Sequence, residues 1–176
     1  MHPTCSSCTG RFLRCATTPF RGALEAAAAD GKARSIGVAN FQVEHLERLA
    51  READTIPAVN QIELHPYLTQ KSLLTYGREH DIATEAWSPL GQGLLLRDEV
   101  IATIAQETGR TAAQVVIRWH LQQGVIVIPK SKTPSRIAEN FASTEFELTP
   151  EQMERISGLN RDKRTGGDPD TFRYRY

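Results

Sequence analysis

The chain has 176 residues, 40% of them hydrophobic and 24% charged, with 21 basic residues against 21 acidic ones. That length suggests one domain with a sizeable core, and the charge balance argues against nucleic acid as a main partner, because a phosphate backbone calls for a basic face. No apolar run approaches the roughly 20 residues needed to span a bilayer.

Residues 1–18 are polar and aperiodic and predict little stable structure, so the domain is placed at 19–176. All three cysteines, Cys5, Cys8 and Cys15, lie in this tail. The Cys5–Cys8 spacing is that of half a metal site, with His2 and Cys15 as nominal completing ligands, but a second pair is missing. Free thiols are therefore the preferred reading, and no metal is assigned. The tail lacks the apolar core of a signal peptide. With no cysteine after Cys15, no disulfide framework holds the fold, which fits a reducing cytoplasm.

From Pro19 the chain turns helical through the alanine-rich run Ala26–Ala29, and Gly31 ends that helix. Ser35–Val38 reads as a short buried strand, followed by a helix with Val43, Leu46, Leu49 and Ala50 on one face. Pro57–Ile62 reads as the next strand and Thr69–His80 as the next helix. Ile82–Trp87 is a third strand, and Ser88–Gly93 a Pro/Gly-rich loop. Asp98 caps a helix that stops at Gly109. Thr111 and Gln114 form a capping box for the helix carrying Val115, Val116 and Trp119, and Thr149 with Gln152 opens the last helix in the same way.

Between these last two helices lies the stretch Val125–Asn140. Val125–Ile128 has the composition of a strand buried on both faces, and Pro129 ends its ladder. Thr133–Pro134 then starts a helix, with Thr as N-cap and Pro at the first helical position. Lys130, Lys132 and Arg136 surround that helix N-terminus, and no acid falls within residues 125–138. A strand running into a helix start offers free N–H groups to an anion. Two readings stay open at this level: a phosphate-binding junction, or a solvated basic helix start behind a core strand.

Regular strand–helix alternation predicts a parallel sheet. The polar residues at the strand C-terminal ends, Asn40, Gln61, Ser88, Lys130 and Ser131, lie where a (β/α)8 barrel builds its site. A doubly wound sheet is the alternative, although no G-x-G-x-x-G follows any strand.

Four stretches together, Gly37–Phe41, Asn60–Pro66, Trp87–Gly91 and Ile128–Ser131, resemble the aldo/keto reductases in order and spacing, and are most similar to bacterial members of the 2,5-diketo-D-gluconate reductase type. The resemblance covers roughly residues 20–172. It implies an α/β fold, a (β/α)8 TIM barrel of which this chain carries strands five to eight, and NADPH extended across the C-terminal ends of the strands. By position, Asn40 and Gln61 would hold the nicotinamide carboxamide and Trp87 would stack on the nicotinamide ring. Ser88, Leu90 and Gln92 would lie along the pyrophosphate. Lys130, Ser131, Thr133 and Arg136 would hold the adenosine 2′-phosphate, with Glu139 and Asn140 at the adenine. The implied function is NADPH-dependent reduction of an aldehyde, ketone or diketo sugar acid to an alcohol in the cytoplasm.

Ala39 stands where the family usually has Ser, and Lys132 replaces a small apolar residue. The family's catalytic Asp, Tyr, Lys and His have no counterpart. Tyr67, Tyr76, Tyr174 and Tyr176 do not stand in a matching context, nor do Lys32 and Lys71, so no catalytic residue is assigned and this chain alone is expected to be inactive. His65, ahead of Pro66, reads as a structural turn residue and Trp119 as core. A non-catalytic NADP-binding or assembly module is the alternative function. A half barrel would also leave two sheet edges, Ser35–Val38 and Val125–Ile128, and so predicts self-association.

Overall fold

The computed structural model describes residues 6–8, 19–169 and 171. The remainder of residues 1–18, expected to hold little structure, lies outside the described residues, as do the side chains of the three cysteines. The elements in chain order are β1 (Ser6–Cys8), α1 (Pro19–Ala29), β2 (Ile36–Ala39), α2 (Val43–Glu52), β3 (Val59–Glu63), α3 (Lys71–Glu79), β4 (Ala83–Trp87), α4 (Glu99–Thr108), α5 (Ala112–Gln122), β5 (Ile126–Val127), α6 (Pro134–Phe141) and α7 (Pro150–Ser157). The strand–helix alternation expected from the sequence is present, with α4 and α5 inserted before β5. No helix among the described residues is long and apolar enough to cross a membrane.

The chain divides into two compact units, one formed by residues 1–62, 71–84 and 167–176, the other by 63–70 and 85–166. In the first unit β1 pairs parallel with β2, and β2 with β3, Val38 standing opposite Asn60 and Ala39 opposite Gln61. The pairing of β1 corrects one expectation: the Ser35–Val38 strand is not a free edge, because Ser6–Cys8 fills its ladder. Ile36, Val38, Phe41, Leu46, Leu49, Ile62, Leu73, Leu74 and Ile82 form the core of this unit.

In the second unit β4 pairs parallel with β5, Glu85 opposite Ile126 and Ala86 opposite Val127. The core is built from Leu64, Leu68, Leu95, Ile101, Ile104, Val115, Val116, Trp119, Val125 and Ile156. The predicted caps form: Asp98 accepts from the Val100 N–H, and the Thr111–Gln114 and Thr149–Gln152 boxes both close. Gly109 takes the left-handed conformation (φ 63°) that ends α4.

Two expectations fail around β5. Only Val125 is buried, while Ile126 and Ile128 are 47% and 52% exposed. The β-branched composition reports suitability for a pleated surface, not what packs on it, and the described strand partner of β5 is β4 alone. Thr133 occupies the N-cap position of α6 but its side chain caps nothing. Ser131 Oγ instead accepts the Thr133 N–H at 3.1 Å, closing a turn just ahead of the helix.

Candidate functional site

In the first unit, Asn40 and Gln61 come together at the C-terminal ends of β2 and β3. The Asn40 N–H donates to the Gln61 carbonyl at 2.8 Å, and Asn40 is left-handed (φ 61°). A neighbour holds this turn: Asn60, buried, accepts the Phe41 N–H through Oδ1 at 3.3 Å and donates from Nδ2 to the Phe41 carbonyl at 2.9 Å. Its amide acts as an extra strand partner for the turn backbone. Asn is among the residues that tolerate the left-handed region best, which suits position 40.

In the second unit, β4 ends in Trp87, which is half-buried, and Ser88, which is left-handed (φ 49°). The Ser88 carbonyl accepts the Gly91 N–H at 2.8 Å. A 3-10 segment, Gly91–Arg97, follows, with Gln92 (φ 54°) and Gly93 (φ 89°) outside helical geometry. Among the described residues, Asn40, Ser88 and Gln92 are left-handed and belong to the set that the resemblance assigned to a cofactor, while Gln70, Asp81 and Asp162 are left-handed outside it. Such conformations cost of order 1–3 kcal/mol and collect at ligand sites.

A cavity of about 320 Å³ opens beside α6. Of the residues expected to contact a cofactor, Leu90, Lys130, Ser131, Arg136, Glu139 and Asn140 line it; Trp87, Ser88, Gln92 and Thr133 do not. Leu96 and the start of α5, Thr111–Ala113, complete the wall. Thr111 had a sequence signal only as a cap. Its hydroxyl donates to Glu139 at 2.6 Å, and Gln114 Nε2 donates to the Glu139 carbonyl at 3.0 Å, so α5 fixes the place of Glu139 on α6. Lys130 and Arg136 give the cavity a cationic side, and the N-terminus of α6 adds its dipole.

Sequence reasoning missed the group around Glu63, at the end of β3. Glu63 and His65 are fully buried, with His65 Nε2 3.2 Å from Glu63 Oε1. Burial alone would raise the Glu63 carboxyl, but hydrogen bonds from His65, Thr165 and Gly166 outweigh it and bring the pKa down to about 2. His65 is the structural turn residue expected: its backbone exchanges hydrogen bonds with Leu68. His120, on α5, is buried and held neutral with a pKa of about 4. Burial is the main cause, opposed by its hydrogen bond to the Pro89 carbonyl and reinforced by His65. Among the described residues no group of three or more His, Cys, Asp or Glu could hold a metal.

Residues 16–161 match the model of the aldo/keto reductase family. An aldo-keto reductase of Mycolicibacterium smegmatis is 56% identical over 144 residues, 82% of this chain and 52% of that protein. The glyoxal reductase of Bacillus subtilis is 52% identical over 84% of this chain and 54% of its own length. For the methylglyoxal reductase DkgA of Salmonella typhimurium the identity is 50%, over 81% of this chain and 53% of its own length. The chain thus spans about half the length of the curated relatives it matches. Among solved structures, a Gox0644 mutant in complex with NADPH superposes with a TM-score of 0.90 at 44% identity, covering 96% of this chain and 63% of that one.

Proposed function

The chain belongs to the aldo/keto reductase family, and we propose that it binds NADPH and, in the whole protein, serves the reduction of a small aldehyde, ketone or diketo sugar acid to the alcohol. The observation that carries this reading is the cavity beside α6, where Lys130, Ser131, Arg136, Glu139 and Asn140 converge. Its donor chemistry fits the adenosine 2′-phosphate: two cations and a helix start suit a dianion. Asn40 and Gln61 hold the carboxamide, Trp87 faces the nicotinamide, Ser88, Leu90 and Gln92 follow the pyrophosphate, and Thr133 completes the phosphate end. The neighbour solved with NADPH supports the same cofactor. Bound NADPH supplies the hydride that goes to the carbonyl carbon, while a proton goes to its oxygen.

These 176 residues contribute cofactor contacts and no tyrosine in the family's proton-donor pattern. Purified alone, they bind NADPH without oxidising it. The test is a fluorescence titration with NADPH beside an oxidation assay with glyoxal and methylglyoxal. Saturable binding without turnover agrees with the proposal; no binding removes the cofactor reading, and steady turnover removes the inactivity.

A second reading, an assembly module that associates with its own copies, is favoured by one observation. Helix α6 buries none of its residues, and Ile137 and Phe141, one turn apart on it, are 54% and 78% exposed.

A further inference from the structure

The segment after α7 returns to the end of β3 and is tied there by a single carboxylate. The N–H groups of Arg161 and Lys163 both donate to the Tyr67 carbonyl, at 3.1 and 3.0 Å. Beyond them, Glu63 Oε1 accepts the Thr165 N–H at 2.5 Å, the Thr165 hydroxyl at 2.6 Å and the Gly166 N–H at 3.1 Å. With His65 Nε2 it gathers four donors. Gln92 Nε2 approaches the Thr165 carbonyl at 3.4 Å. The second oxygen, Oε2, is buried without a hydrogen bond, 3.7 Å from the Arg164 guanidinium. A buried carboxylate is costly unless paired and hydrogen-bonded, and here nearly all its partners belong to residues 164–166.

What this strap touches is Trp87. A Cβ at Gly166 would stand 2.5 Å from Trp87 Cη2 and 3.1 Å from Cζ3, so only glycine lets the backbone lie that close to the indole edge. A side chain at position 166 would have to displace either the strap or the indole.

We propose that Glu63 is a positioning residue: it clamps the Arg164–Gly166 strap against the indole edge and thereby fixes the pose of Trp87 toward a nicotinamide. The nicotinamide part of this statement rests on the function proposed above; the clamp itself does not. An anionic oxygen is what lets one atom gather four donors, and a neutral amide does so poorly.

The experiment uses the full 176-residue chain and the variants Glu63→Gln, Thr165→Val and Gly166→Ala. Acrylamide quenching of tryptophan emission in cofactor-free protein reads the pose of Trp87, because Trp119 is fully buried. Competition titrations with NADPH and with adenosine 2′,5′-bisphosphate, which lacks a nicotinamide, read the two ends of the cofactor site. All three variants are expected to change the quenching and to weaken NADPH by about fivefold, the worth of one hydrogen bond, with the bisphosphate unaffected. Unchanged quenching in Thr165→Val and Gly166→Ala overturns the clamp, and these two decide the matter if Glu63→Gln does not fold. Equal weakening of both ligands reduces Glu63 to a structural role. Altered quenching in a chain that binds neither ligand keeps the clamp and removes the cofactor reading.

Discussion

The Thr111 hydroxyl donates to the Glu139 carboxylate at 2.6 Å while accepting the Gln114 N–H at 3.3 Å, so one N-cap both starts α5 and fixes a wall of the cavity. Thr149 caps α7 in the same way without touching the cavity. Replacing either by Ala should cost about 1 kcal/mol of stability. Only Thr111→Ala should also weaken NADPH. Urea melts and titrations of the two variants, run side by side, check this; equal affinities would detach Glu139 from the cofactor.

Acid should destabilise the fold in two successive stages. His120 is held at about 4 against an ordinary 6.5, so between those values the unfolded chain binds a proton that the native one refuses, and stability falls as pH drops. Glu63, held at about 2 against 4.5, takes over below pH 4.5, where its ionised form is what the native state stabilises, worth on the order of 3 kcal/mol. Urea midpoints followed from pH 7 downward should decline from about pH 6.5. His120→Gln, whose amide can still donate to Pro89, should flatten the upper stage only. A flat profile between pH 6.5 and 4 in the unaltered protein would contradict the burial of His120.

Ser88 adopts φ 49° immediately after β4. Glycine accepts that conformation at about 1 kcal/mol less than serine. Ser88→Gly should therefore hold or raise stability while weakening NADPH by about fivefold, through the lost hydroxyl. Loss of stability without loss of affinity would mean that the residue serves the fold alone.

The caps at Asp98, Thr111 and Thr149 were legible in the sequence because each is read within four residues, and the strand–helix alternation because each segment carries its own hydrophobic period. The convergence of Lys130, Ser131, Arg136, Glu139 and Asn140 was legible too, since all five lie in one short stretch running from the end of β5 through α6. The tie between Glu63 and Thr165 was not: the two are 102 residues apart, and neither lies in a pattern that points to the other. The exposure of Ile126 and Ile128 was hidden for a related reason, as composition does not say which surfaces meet. Strand β1 escaped because Ser6–Cys8 is short and polar and makes sense only beside β2.

Exposed apolar side chains at β5 and α6 predict self-association. Light-scattering chromatography should give a mass above the monomer that rises with concentration. Ile128→Lys, which places a charge beside the exposed strand, should lower it. A monomer at every concentration would remove the assembly reading.

In the function proposed above, the cavity beside α6 reads the adenosine 2′-phosphate. Fluorescence titrations of the unaltered chain and Arg136→Ala, each with NADPH and NADH, test it most directly. One charge-assisted contact is worth about 1.5–3 kcal/mol, so Arg136→Ala should weaken NADPH by roughly tenfold or more and leave NADH nearly unchanged. Equal losses for the two cofactors would contradict the assignment of Arg136 to the phosphate.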